Sequence, residues 1–121
     1  MILGTGEESK EVNDLLKTEL NPGFKVSGFV SGDKNYQENL KVVGSLEDLD
    51  EALKKTKAEV VIFALGKDYE APVAQVLSDF EQTEVDLVVS EEQSRVFNGL
   101  KKVKFYKGPW LKIYPTHSRV R

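Results

Sequence analysis

The chain has 121 residues, of which 40% are hydrophobic and 31% charged, the balance expected of one soluble folded domain. It contains no cysteine, which excludes disulfides, thiolate metal centres and thiol catalysis. The single histidine, His117, cannot form a histidine-rich metal site. No apolar run approaches the roughly 18 residues of a membrane-spanning helix.

The net charge of −3 conceals two parts of opposite sign. Residues 1–100 hold all 20 acidic and 10 of the 17 basic residues, a net −10, whereas residues 101–121 hold seven basic residues and no acid. Four aromatic residues lie among the basic ones: Phe105, Tyr106, Trp110 and Tyr114. The basic end is either a solvated complement to the acidic part or a surface for a polyanion. An anionic membrane suits cations mixed with aromatics, and the acidic part would repel a nucleic acid.

The first half of the chain predicts the order strand, helix, strand, strand, helix. A short strand at residues 2–3 suggests that the chain has been cut from a longer protein. A helix is predicted over residues 7–20, where apolar residues recur on one face. Strands are predicted over residues 24–30 and 40–43. Ser45 is predicted to cap the second helix, at the start of a capping-box spacing.

The second half continues the alternation. Residues 60–65 form an unbroken apolar run rich in β-branched side chains, which is typical of a central strand buried on both faces. The other predicted elements are a third helix capped by Asp68, a strand over 85–89, one or two helical turns over 91–97, and short strands over 103–106 and 111–114.

Strands alternating with helices predict a three-layer α/β domain with a mainly parallel sheet of order 3-2-1-4-5, plus short C-terminal strands. Right-handed crossovers would then place a ligand crevice at the carboxyl ends of the first and fourth strands. We expect residues 1–100 to form this domain. Residues 101–121 are predicted to be a basic and aromatic extension that leads to a further domain.

The string Gly4-Thr5-Gly6-Glu7-Glu8-Ser9 lies between a strand and a helix, where a dinucleotide-binding loop belongs. Glycines allow a tight turn close to phosphate, and the start of a helix supplies N–H donors. Ser9 stands where a third glycine or alanine would help the helix meet the strand. Glu7 and Glu8 complement the helix dipole but repel a pyrophosphate. The turn is therefore either a weak nucleotide site at Gly4, Thr5 and Gly6 or purely structural.

Two other loops contribute candidate ligand-binding residues. Ser31 and Asp33 follow the second strand, where an acid often holds ribose hydroxyls, although an Asp beside a glycine is also ordinary turn chemistry. Gly66 and Lys67 follow the fourth strand, and Lys67 is either a cation for an anionic ligand or an exposed lysine before a helix. No pattern of residues indicates a catalytic constellation or a metal site, and His117 is read as a residue of the tail.

Four strings, taken together and in this order, resemble the Rossmann-like, CoA-binding-like domain of bacterial polyprenyl-phosphate sugar-1-phosphate transferases. A similar domain precedes the catalytic part of membrane nucleotide-sugar dehydratases. The resemblance covers about residues 1–90. The strings are ILGTGEE at residues 2–8, GFV at 28–30, VGSLEDL at 43–49 and EVVIFAL at 59–65.

The resemblance implies a regulatory or structural domain of an enzyme that moves a sugar phosphate from a nucleotide sugar to undecaprenyl phosphate. It implies a position at the cytoplasmic face of the inner membrane, with the catalytic domain downstream in the same chain. A weakly bound nucleotide or nucleotide sugar, membrane contact through residues 101–121 and a homo-oligomer are further expectations. No nucleic acid partner is expected.

The chain departs from the family in two respects. Ser31-Gly32 stands where the family often has acids, and no catalytic segment is present, so no catalytic residue is carried over and the fragment is expected to catalyse nothing. Two alternatives stay open: the amino-terminal domain of a nucleotide-sugar dehydratase, and a stand-alone sensor of NAD or another nucleotide.

Overall fold

The computed structural model describes residues 1–18, 23, 25–31, 41–65, 76–78, 80, 83–105 and 109–114. These residues form an α/β fold on one mixed sheet of seven strands. The elements in chain order are β1 (Ile2–Leu3), α1 (Glu7–Leu15), β2 (Phe29–Ser31), β3 (Val42–Ser45), a 3-10 helix (Leu46–Asp48), α2 (Leu49–Thr56), β4 (Val60–Phe63), β5 (Asp86–Ser90), a second 3-10 helix (Glu91–Phe97), β6 (Lys102–Lys104) and β7 (Trp110–Ile113). Residues 76–78 and 80 are helical, within the predicted third helix, whose cap Asp68 lies outside the described residues.

The strand order is β3-β2-β1-β4-β5-β7-β6. Its first five strands pair in parallel and contain the predicted order 3-2-1-4-5. The prediction of a mainly parallel sheet needs correction beyond β5, because β7 and β6 join it antiparallel. An antiparallel pair closes through a short turn, whereas a parallel pair needs a long crossover. The short connection between β6 and β7 therefore makes a hairpin at the edge of the sheet.

β4 lies in the middle of the sheet, as predicted, and Val61 to Leu65 are buried, while Val60 is half-buried. Successive side chains of a strand point to opposite faces. Val61 and Phe63 pack in a cluster with α2, with Val76 and Phe80, and with the second 3-10 helix. Ile62 packs with α1 and Trp110 on the other face. Helical segments therefore cover both faces of the sheet.

Three predicted boundaries differ from the structure. β2 begins at Phe29 rather than residue 24, α1 ends at Leu15 rather than residue 20, and β3 is Val42–Ser45 rather than residues 40–43. β1 pairs only Ile2 and Leu3 with β2, so residues 25–28 lie outside the paired stretch. Strand length here depends on the neighbouring strand, which local sequence does not reveal.

The predicted capping box at Ser45 is not formed. Ser45 precedes the first 3-10 helix, but its side chain makes no capping hydrogen bond. The α-helical hydrogen bonding starts only at Leu49, after one 3-10 turn. A 3-10 turn often tightens the start of an α-helix, and here it displaces the helix start from the predicted cap.

The helices of the described residues are all too short or too polar to cross a membrane.

Candidate functional site

β1 and β4 are neighbours in the sheet, and the chain leaves them in opposite directions. It continues from β1 to β2 and β3 on one side, and from β4 to β5 on the other. β1 pairs with β2 on one side and with β4 on the other, and all three strands run parallel. In open parallel sheets the loops after two such strands diverge and leave a crevice at their carboxyl ends, where ligands usually bind. The turn that follows β1 is therefore the first candidate for a ligand-binding site.

Gly4 is clamped between two strands at this position. Its N–H donates to the Val30 carbonyl at 2.8 Å, and the Ala64 N–H donates to the Leu3 carbonyl at 2.8 Å. The φ of Gly4 is +133°, and a Cβ added there would lie 2.3 Å from the Ala64 carbonyl oxygen. Both the backbone angle and the space require glycine. This residue brings the turn close against β4.

Gly6 forms the open part of the turn. It is the residue before α1 and has no side chain to accept from the N–H groups of the first helical turn. It is exposed, and an added Cβ would meet only the Glu8 Oε2, at 3.8 Å. The start of α1 therefore presents N–H donors and the positive end of a helix dipole to an accessible surface, beside one carboxylate.

Thr5 and Ser9 lie on the buried side of the turn. Both are buried, and the Ser9 hydroxyl donates to the Gly6 carbonyl at 2.7 Å. Ser9 is fully buried where α1 meets the sheet, at the position where a glycine or alanine would help the helix meet the strand. The hydroxyl of Ser9 is committed to the backbone, so its observed role is to hold the turn in shape.

The remaining predicted site residues divide into two groups. Ser31 ends β2 and is 4% exposed, one strand away from the glycine turn at the same edge of the sheet. Asp33, Gly66 and Lys67 lie outside the described residues. The structure thus brings Gly4, Thr5, Gly6 and Ser31 to one edge of the sheet.

Glu7 and Glu8 set the electrostatics of this edge. Both lie in the first turn of α1, where Glu7 is exposed and Glu8 half-buried. Carboxylates there stabilise the helix through its dipole, and they repel an anionic ligand by direct charge. Among the described residues, no group of three or more histidine, aspartate or glutamate side chains is placed to hold a metal.

A cavity of ≈ 490 Å³ lies at the opposite, amino edge of the sheet, where the sequence predicted nothing. Lys25, Lys57, Glu59 and Asp86 surround an apolar floor that includes Ile62. The lining comes from the starts of strands and the end of α2, which are far apart along the chain, so no local motif marks it. The end of α2 carries partial negative charge, which disfavours phosphate. The glycine turn, at the positive end of a helix dipole, is therefore the better nucleotide candidate.

Comparisons with known proteins add no family to these observations. No family model matches the chain, and no curated protein or solved structure gives a significant match. The geometry of the site and the resemblance of the four strings are the grounds on which a function is proposed.

Proposed function

We propose that the chain is a non-catalytic, nucleotide-recognising regulatory domain of a membrane sugar-phosphate transferase that initiates bacterial polysaccharide synthesis. Nucleotide recognition is supported by the glycine turn at the β1–β4 crevice. There Gly4 lies in close contact with Ala64, and Gly6 is exposed beside the start of α1. The resemblance of the four strings supports the transferase, whose catalytic domain would lie downstream.

The proposed ligand is a nucleotide or nucleotide sugar, with its phosphates over Gly4, Thr5 and Gly6. The N–H groups at the start of α1 suit a phosphate in hydrogen-bond geometry and in charge. Glu7 and Glu8 oppose that phosphate, so binding is weak and suits a domain that senses the donor substrate without holding it. The sequence also offers Ser31, Asp33, Gly66 and Lys67 as ligand contacts, of which the last three lie outside the described residues.

The proposal assigns no reaction to the domain itself. Around the glycine turn, Thr5, Ser9 and Ser31 are buried, and Ser9 already donates to the backbone. A reacting group has to reach its substrate directly or through one water. Ser9 instead holds the turn in shape, and chemistry belongs to the proposed downstream domain.

Removing the two carboxylates beside the turn should strengthen nucleotide binding. A unit charge about 6 Å from a phosphate in water opposes it by about 0.7 kcal/mol, less with salt screening. Glu7→Gln combined with Glu8→Gln is therefore expected to tighten binding about three- to tenfold. The measurement is an NMR titration of amide shifts with a uridine diphosphate sugar and with a dinucleotide.

The matched control removes two acids further along the same helix, Glu11→Gln with Asp14→Asn, both of which are exposed. It makes the same change in net charge and should alter affinity little. Tightening by the control to the same degree would mean that only net charge matters. If neither chain shows nucleotide-dependent shifts around the turn, the nucleotide part of the proposal is wrong and the turn is structural.

A further inference from the structure

The β6–β7 hairpin gives the basic end of the chain a defined surface. β6 is the last strand of the sheet, so one side of it has no neighbouring strand among the described residues. The hairpin contains Lys101, Lys102, Lys104 and Lys112, which belong to a segment of 21 residues with seven basic residues and no acid. The conformation of the hairpin decides which of these lysines lie on the same face.

Four side chains share one face of the hairpin. Val103 is paired with Lys112, and the Tyr114 N–H donates to the Lys101 carbonyl at 3.0 Å, which continues the same register. Paired residues of antiparallel strands point to the same side. Lys101, Val103, Lys112 and Tyr114 therefore form what we name the cationic face.

This face combines ammonium groups with apolar surface. The Nζ atoms of Lys101 and Lys112 each lie 5.2 Å from the centre of the Tyr114 ring. Val103 is 41% exposed, one of two large hydrophobic side chains that the described residues leave exposed. The face thus presents an uncovered valine and a tyrosine between two positive charges.

Ion pairs neutralise only part of the hairpin. Lys112 lies 3.1 Å from Asp86, which raises the pKa of Lys112 through a hydrogen bond, and Lys104 lies 3.9 Å from Glu91. Within the described part of the chain, no acidic group lies at ion-pair distance from Lys101 or Lys102. Lys102 is paired with Ile113 and lies on the other side of the hairpin, so Lys101 is the unpaired charge of the cationic face.

We propose that the cationic face docks on an anionic lipid surface. Lysine ammonium groups bind lipid phosphates, while tyrosine and the aliphatic parts of the side chains suit the interface between headgroups and hydrocarbon. Each lysine close to an anionic membrane surface contributes about 1 kcal/mol of attraction. A nucleic acid backbone offers no apolar layer for the exposed Val103, so it fits this face less well than a bilayer interface does.

Docking deepens the proposed function, since it rests on the membrane-bound parent enzyme. The glycine turn and the hairpin do not overlap. β7 is three strand positions from β1, about 14 Å along the sheet. Vesicle binding and nucleotide binding are separate measurements, so failure of one leaves the other intact.

The test is flotation of the chain with vesicles of phosphatidylcholine alone and of phosphatidylcholine with about a third phosphatidylglycerol. We expect binding only to the anionic vesicles, weakened by added salt. Lys101→Gln, which removes one ammonium group from the cationic face, should reduce partitioning roughly fivefold. Val103→Ser, which changes no charge, should reduce it a few-fold because the valine no longer enters the interface.

The control is Lys55→Gln, an exposed lysine on α2, which should leave partitioning nearly unchanged. Circular dichroism and the unfolding midpoint verify that each variant is folded. Equal losses in the control and hairpin variants, no loss with Val103→Ser, or equal binding to neutral vesicles would each overturn the docking face. Binding of a duplex oligonucleotide at least as tight as that of the anionic vesicles would also overturn it.

Discussion

Replacing Gly4 by alanine is expected to destabilise the fold by about 2–5 kcal/mol. The new Cβ would lie 2.3 Å from the carbonyl oxygen of Ala64, the residue directly after the central strand, whose N–H donates to the Leu3 carbonyl, so it cannot move without disturbing the β1–β4 pairing. The φ of +133° adds strain for any residue other than glycine. Urea unfolding followed by circular dichroism gives the free energy of unfolding.

Gly6→Ala is the control for this prediction. Gly6 has a φ of −97°, and its added Cβ would meet nothing closer than 3.8 Å. The expected change in unfolding free energy is below about 1 kcal/mol. If the Gly4→Ala variant has the same urea midpoint of unfolding as the wild type, Gly4 does not lie this close to Ala64. The geometry on which the nucleotide proposal depends would then be wrong too.

Replacing Trp110 by alanine is expected to cost about 3–5 kcal/mol, as for other large core truncations. Trp110 is fully buried on β7 and belongs to the core cluster that contains Val12 of α1 and Ile62 of β4. Its loss would leave a cavity between the hairpin and the first helix. Since small domains are stable by about 5–15 kcal/mol, this is a large share of the total.

Val103→Ala on the neighbouring strand is the control, since Val103 is 41% exposed and should cost less than about 1 kcal/mol. The measurement is thermal or urea unfolding of both variants. A large loss for Trp110→Ala would make the hairpin part of the folding unit, whereas a small loss would support the division of the chain at residue 100. That division stays a prediction until this is measured.

Elements with a strong local sequence pattern were predicted correctly because burial of the element requires that pattern. The run at residues 60–65 has no polar side chain, so only a position covered on both faces accommodates it, and β4 lies there. The alternation of strands and helices with short connections leaves few topologies, which is why the parallel order around β1 and β4 was predicted correctly.

The end of the sheet was less predictable. Short strands near residues 103–106 and 111–114 were expected, but their place beside β5 depends on pairings such as Leu87 with Ile113, 26 positions apart. The start of β2 depends in the same way on how far β1 extends along it. Pairing partners are chosen by packing over the whole domain, so local propensity does not decide them.

The sequence by itself determined that a glycine turn joins the first strand to the first helix, that two carboxylates follow it, and that the basic charge lies in the last 21 residues. These are properties of neighbouring residues. Only the tertiary structure decided why Gly4 is required, because Ala64, 60 positions away, lies against it. It also decided which side of the hairpin presents Lys101 and Val103, since the register of two strands, and no local pattern, sets the direction of each side chain.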